Sequence, residues 1–210
     1  MLTDKKGQMF ILSSPSGVGK TTLTKELTIS NSNFVISISY TTRKPRPNEE
    51  NGKDYHFVSI EEFKRLIKEE SFFEYALIFN NYYGTLKKTV IDLMKKGKDV
   101  LFDIDWQGTQ QLKKIKDILP VTIFVLPPNI KILKERLLNR HKGQENLIKE
   151  RMHKFDEEIS HWNEYNYVVV NDDLKKCCDK ISNIIKSEKD GKKFKQDFDE
   201  IKKRVVELTS

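Results

Sequence analysis

At 210 residues the chain is long enough for one α/β domain with a large core and one or two inserted lobes. Charged residues make up 33% and the net charge is +7, which suits an anionic partner: nucleic acid, an acidic membrane or small phosphates. The lysines are spread along the chain rather than clustered, which favours small anionic substrates over a nucleic-acid groove, and no run of about 18 apolar residues predicts a membrane span.

Residues 1–8 are charged, and the apolar run after them, Met9 to Leu12, is too short for a signal peptide but suits a buried strand. Ser13 to Gly19 is small and turn-prone, and Thr21 to Thr28 reads as a helix with Leu23 and Leu27 on one face. Strand, glycine loop and helix form the context of a phosphate-binding loop, whose inward N–H groups and helix N-terminus suit an anion. Lys20 can reach the terminal phosphates of a nucleotide, and the Thr21 hydroxyl can ligate Mg²⁺. The pattern G-x-x-x-x-G-K-[ST] is met except at its first position, Ser14. A left-handed serine there would cost about 1–2 kcal/mol, so Ser14 either avoids that conformation or tolerates it.

Asn33 to Ser37 can form a second strand. Ser39 to Phe57 is polar and extended, because Pro45 and Pro47 forbid a regular helix. Glu61 to Glu69 is a short amphipathic helix, Ser71 to Phe79 a strand, and Asn80-Asn81 a turn signal. Residues 39–86 together read as a small, largely β lobe inserted into the main domain. Leu86 to Lys96 is helical, and Asp99 to Asp105 is an apolar strand tipped with two aspartates. Trp106 to Leu119 is a helix and Val121 to Leu126 a fully apolar strand. Asn129 caps a helix that runs to Arg140. His141 to Glu145 breaks the pattern, and Asn146 to Trp162 is helical again. Tyr167 to Asn171 is the last strand and Asp172 to Ser187 the last core helix. Strands alternating with helices imply crossovers and a parallel sheet. In the charged tail, Ile201, Val205 and Leu208 fall at helical spacing, so 188–210 is an appended amphipathic helix or a partly ordered extension. The adjacent Cys177 and Cys178 make poor disulfide geometry and suggest a reducing compartment, so a soluble cytoplasmic protein is expected.

A phosphate loop says only that a nucleoside triphosphate is bound. Arg43 and Arg46, with the hydroxyls of Ser39, Tyr55 and Tyr83, suit a phosphate monoester, because guanidinium forks hold its oxygens bidentately. The plainer reading is a solvated proline-rich loop, which leaves the aromatic hydroxyls unexplained. Asp103 and Asp105 lie on one face at a strand's carboxyl end, where ligands bind in open α/β sheets. Asp103 can hold Mg²⁺ through water and Asp105 a second substrate, or both cap the next helix. Arg136 and Arg140 share a helix face and Arg151 follows a break, as in a hinged lid that supplies charge and excludes water, or as plain surface decoration.

Ser14-Pro-Ser-Gly-Val-Gly-Lys20, Thr41-Thr-Arg-Lys-Pro-Arg46, Asn51-Gly-Lys-Asp-Tyr55, Asn81-Tyr-Tyr-Gly-Thr85, Asp103-Ile-Asp105 with Gln107-Gly108, and Val170-Asn-Asp-Asp173 stand in the order and spacing of the guanylate kinase family, which the chain resembles over about Gln8 to Ile185. The resemblance implies a P-loop α/β fold, with a parallel sheet flanked by helices, a β-rich GMP lobe and a helical lid. Its division is a core of 1–38, 87–128 and 165–187, a GMP-binding lobe of 39–86, a lid of 129–164 and the extension 188–210. It implies transfer of the γ-phosphate of ATP to GMP, and to dGMP as well, with Mg²⁺, in purine nucleotide metabolism. The ATP site falls on Ser14, Pro15, Ser16, Gly17, Val18, Gly19, Lys20, Thr21 and Thr22, with the adenine end near Asn171. The GMP phosphate falls on Ser39, Arg43, Arg46, Tyr55 and Tyr83, guanine on Glu74, Thr85 and Asp105, and the lid arginines on Arg136, Arg140 and Arg151. The departures are Ser14, Thr21-Thr22 where many members have Gly-Thr, and Thr85 in place of serine. The expected partners are ATP and GMP, without nucleic acid or membrane, on a monomer or homodimer. Two alternatives stay open. A kinase for another nucleoside monophosphate is opposed by Glu74, Thr85 and Asp105. A non-enzymatic interaction domain of this fold is opposed by the intact Gly19-Lys20-Thr21 and the lid arginines.

Overall fold

The structure, a computed structural model, describes residues 6–116, 118–140 and 144–210. In chain order the elements are β1 (Met9–Ser13), α1 (Lys20–Ser30), β2 (Phe34–Ile36), β3 (Tyr40–Thr41), β4 (His56–Phe57), α2 (Ile60–Lys68), β5 (Phe72–Ile78) and β6 (Asn81–Leu86). There follow α3 (Lys87–Lys95), β7 (Asp99–Asp103), α4 (Trp106–Lys113), β8 (Val121–Leu126), α5 (Ile130–Arg140), α6 (Glu145–His153) and α7 (Phe155–Ser160). A 3₁₀ turn (Trp162–Glu164), β9 (Tyr167–Val170), α8 (Leu174–Lys189) and α9 (Phe198–Thr209) complete the chain. Two compact units result, 1–9 with 31–120, and 10–30 with 121–210.

In the first unit β2 and β7 pair in parallel, Phe34 opposite Asp99. The buried Asp99 carboxylate joins three segments, accepting from the Gln8 N–H at 3.1 Å and from the Asn33 side-chain amide at 2.8 Å. Val100 N–H donates to the Gln8 carbonyl, which sets the start of β1 beside β7. A second, four-stranded sheet runs in the order β4-β3-β6-β5 and lies within residues 39–86. Its core is Phe63, Leu66 and Phe72, with Tyr40, Tyr82 and Leu86 packed against them. Phe63 stacks on Phe72 and Tyr82 with centroids 4.5 and 5.2 Å apart. Ser59 caps α2 by accepting from the Glu62 N–H at 3.1 Å, with Glu62 in the position of a capping box. The β5–β6 turn is Phe79-Asn80, one residue earlier than the Asn80-Asn81 signal implies. Both residues have positive φ, 47° and 60°, as a two-residue hairpin with the right-handed strand twist demands. On the outer edge of β5 the Gln111 side-chain amide takes both backbone groups of Tyr75, accepting from its N–H at 3.1 Å and donating to its carbonyl at 2.7 Å.

In the second unit β1, β8 and β9 are parallel, Ile11 opposite Thr122 and Phe124 opposite Val168. Within this unit the strand order is β1-β8-β9. β1 and β8 are buried along their whole length, as a parallel sheet covered on both faces requires. α1 packs beside α8, and Asn129 caps α5 by accepting from the Ile132 N–H at 2.8 Å. Among the described residues no helix is long and apolar enough to cross a membrane.

Three expected helices differ in extent. α4 ends at Lys113, and Ile115 and Ile118 continue in turns with i to i−3 hydrogen bonds, as the approach to Pro120 disfavours helix. The helix expected from 146 to 162 is broken after His153 and again at His161, giving α6, α7 and the 3₁₀ turn. The tail is ordered as α9, with Ile201, Val205 and Leu208 buried. Before it, Gln196 lies against β9, its side-chain amide accepting from the Val168 N–H at 2.9 Å and donating to the Val168 carbonyl. The break expected around His141 falls largely on 141–143, outside the described residues.

Candidate active site

The phosphate loop belongs to the second unit. Gly17 and Gly19 have φ of +90° and +102°, the left-handed region that favours glycine. Space gives a second reason: a Cβ on Gly17 would lie 2.8 Å from Leu137 Cδ2, and one on Gly19 2.8 Å from Asn171 Nδ2. Ser14 is not among the residues with positive φ, so its replacement of glycine brings no strain; its hydroxyl donates to the Pro15 carbonyl at 3.0 Å. α1 begins at Lys20, so the loop runs straight into a helix N-terminus. Thr21 and Thr22 are exposed on its first turn.

Side chains from elsewhere grip this loop. The Val18 carbonyl accepts from Arg136 Nη1 and from Asn171 Nδ2, both at 2.8 Å, and Arg136 Nη2 donates to the Asn171 carbonyl at 3.3 Å. Arg151 donates to the Ser16 hydroxyl, while the Ser16 N–H donates to Glu158 Oε2 at 2.9 Å. Two of the three sequence-identified lid arginines are therefore on the loop. Arg140 is exposed, one helical turn after Arg136. Asn171, expected near an adenine, is buried beneath Val18 and Gly19.

The other candidate residues lie in the first unit. Arg43 sits over the rings of Tyr55 and Phe57, at 5.3 and 5.7 Å from their centroids. Its Nη2 donates to both oxygens of Glu49 at 2.9 Å. Arg46 reaches the same carboxylate, through its backbone N–H at 2.9 Å and Nη1 at 3.2 Å. Burial works against the Arg43 charge, but the hydrogen bond to Glu49 and the charge of that carboxylate hold the guanidinium above its usual range. Burial likewise opposes the Glu49 charge, yet the Arg46 N–H and the Arg43 guanidinium keep it below the usual carboxylate value. Burial, then the Asp103 charge, push the Tyr55 hydroxyl well above the ordinary phenol range. The Tyr55 and Tyr83 rings meet edge to face at 6.0 Å.

Deeper in, Ser39 and Thr85 hydroxyls lie 3.4 Å apart, both buried. Thr85 is paired across the β hairpin with Glu74, itself 3% exposed. Asp105 caps α4: Oδ1 accepts from the Gly108 N–H at 3.0 Å and Oδ2 from the Gln107 amide at 3.1 Å. The capping alternative therefore holds for Asp105, which still presents its carboxylate at the lip of α4. Asp103 ends β7, half-buried. Sequence reasoning passed over Glu49, Glu158 and the steric role of Gly108. Only the glycine carried a signal: a glycine inside a helical pattern asks for a packing reason.

Comparison with known proteins identifies the family of the chain. The guanylate kinase family model matches residues 6–188. The guanylate kinase of Rickettsia prowazekii is 53% identical over 184 residues, covering 88% of this chain and 93% of its own. That of Maricaulis maris is 48% identical over 185 residues, covering 88% and 85%. The crystal structure of guanylate kinase from Anaplasma phagocytophilum superposes with a TM-score of 0.72 at 37% identity, over 88% of this chain and 87% of that one. The chain belongs to the guanylate kinase family. As a guanylate kinase it is an ATP:GMP phosphotransferase, a nucleoside monophosphate kinase whose substrates are ATP and GMP. A guanylate kinase has two nucleotides to hold, and two sets of residues are at hand here: a glycine loop with arginines, and a tyrosine–arginine–carboxylate cluster.

Proposed function

We propose that the loop from Ser14 to Thr22 holds the ATP phosphates, that Ser39, Arg43, Arg46, Tyr55 and Tyr83 hold the GMP phosphate, and that Glu74, Thr85 and Asp105 read guanine. The observation that carries this is the phosphate loop itself, with two left-handed glycines leading into α1 at Lys20. Supporting it are the contacts of Arg136 and Arg151 with that loop, the cluster of Arg43, Arg46 and Glu49 beside Tyr55, and the buried pair of Glu74 and Thr85. Lys20 meets charge on the β- and γ-phosphates, while Arg43, Arg136, Arg140 and Arg151 offset the charge spread over the migrating group. The attacking oxygen of GMP is already ionised at neutral pH, so no general base is needed, and the work of the protein is positioning and charge neutralisation.

Mg²⁺ suits the donors present. No cluster of three or more His, Cys, Asp or Glu fit for a metal occurs among the described residues, and none is needed by an ion that keeps several waters and takes nucleotide phosphates. Thr21 and, through water, Asp103 would hold it, and when bound it would neutralise phosphate charge. In this reading dGMP, which presents the same base and phosphate to these groups, is a second acceptor. A reducing, cytoplasmic setting suits the free thiols Cys177 and Cys178.

The experiment is a coupled assay of GDP formation. Lys20→Ala should lower kcat by at least ~10²-fold while the circular dichroism stays that of the wild type. Turnover at the wild-type rate would overturn the assignment of the phosphate loop.

A further inference from the structure

We propose that Gly108 is a positioning residue for base recognition: its missing Cβ is the space in which the Glu74 carboxylate lies. The inference rests on the reading of Glu74 as a guanine contact.

Gly108 is in the first turn of α4, buried, with an ordinary helical φ. No turn or left-handed conformation requires glycine there, and alanine would favour the helix. The reason is steric. A Cβ built on Gly108 would sit 2.5 Å from Glu74 Oε2, 3.1 Å from its Cδ and 3.3 Å from Ile104 Cδ1. The first of these is closer than real Cβ contacts come, so the group that must move is the Glu74 carboxylate. Glu74 is 3% exposed on a strand whose backbone is fixed by pairing with β6, so the carboxylate has only its side-chain torsions with which to yield.

Gly108 also addresses the second acceptor. Its N–H donates to Asp105 Oδ1 at 3.0 Å, and the Thr109 hydroxyl donates to the Asp105 carbonyl at 2.9 Å. One residue thus orients one carboxylate through its N–H and admits another through its bare Cα. Substitution by alanine keeps the first function and removes the second, which separates a role in positioning Glu74 from a role in capping the helix.

Guanine offers N1–H and the exocyclic amine side by side, and a carboxylate accepts from both only in one orientation. A displaced Glu74 loses that bidentate contact. Hypoxanthine, which keeps N1–H but lacks the amine, has less to lose.

The test measures kcat/KM for GMP, IMP and ATP in Gly108→Ala, Glu74→Asp, the double variant and Glu74→Leu. Gly108→Ala should lower kcat/KM for GMP by at least ~10-fold, reduce the preference for GMP over IMP and leave the KM for ATP unchanged. In the double variant the shorter carboxylate gives the methyl group room, so the two penalties should be less than additive. An unchanged GMP preference in Gly108→Ala, or strictly additive penalties, overturns the role of Gly108. Full GMP activity in Glu74→Leu overturns instead the reading of Glu74 beneath it. Should Gly108→Ala alone fail to fold, the double variant must fold, and its failure to do so overturns the steric argument.

Discussion

Glu49 shows how much one side chain can govern. It accepts from two guanidinium groups and a backbone N–H, and it is a carboxylate in a place where phosphate is to be bound. Because its folded-state pKa lies below the ordinary 4.5, its contribution to stability is fully present above that value and is lost as pH falls below it. The stability difference between the wild type and Glu49→Gln, measured by urea denaturation, should therefore be larger at about pH 7 than at about pH 3. Equal differences at the two values would refute the ion-pair account. Glu49 was illegible in the sequence because an acidic residue in a proline-rich turn carries no periodicity and no motif; only folding brings it to Arg43. Gly17 and Gly19, by contrast, were legible, since a left-handed turn against a neighbouring side chain admits little else. Ser14 lay between: a serine in a glycine position is compatible with either conformation until the backbone is seen.

At the scale of elements, fully apolar strands such as β8 and capped helices such as α2 and α5 could be read directly, because burial on both faces and cap chemistry are written locally. The break between α6 and α7 could not. Residues 146–162 contain no proline or glycine, so nothing local in the sequence marks the break. The break has a consequence for the phosphate loop, since α7 brings Glu158 to the Ser16 N–H. A charge-assisted hydrogen bond of this kind contributes about 1.5–3 kcal/mol. Glu158→Ala should loosen the tip of the loop and raise the KM for ATP by ~3–10-fold, with the KM for GMP unchanged. Steady-state kinetics with each substrate varied in turn would check this, and an unchanged or lower KM for ATP would refute it.

For the whole molecule, the chemistry is divided between two compact units, with the phosphate loop and its arginines in one and the Arg43 cluster and the pair of Glu74 and Thr85 in the other. The division predicts separable defects. Glu74→Leu should lower kcat/KM for GMP by at least ~10-fold and leave the KM for ATP nearly unchanged. Lys20→Ala should bind GMP, measured by calorimetry, as the wild type does. A loss of GMP binding in the lysine variant would contradict the assignment of the two nucleotides.

Gln196 lies beyond the part of the chain that the family model matches, yet it occupies both backbone groups of Val168 on the outermost strand of the sheet. Gln111 does the same for Tyr75 on the edge of the β lobe. An open strand edge is a template for another chain, and natural proteins blunt such edges to stay out of aggregates. Each glutamine ends the ladder with a side chain that offers no further strand. The C-terminal extension therefore covers the edge of β9 at Val168. A chain stopped before Gln196 should keep its turnover when dilute, yet self-associate as its concentration rises, and light scattering would follow the change.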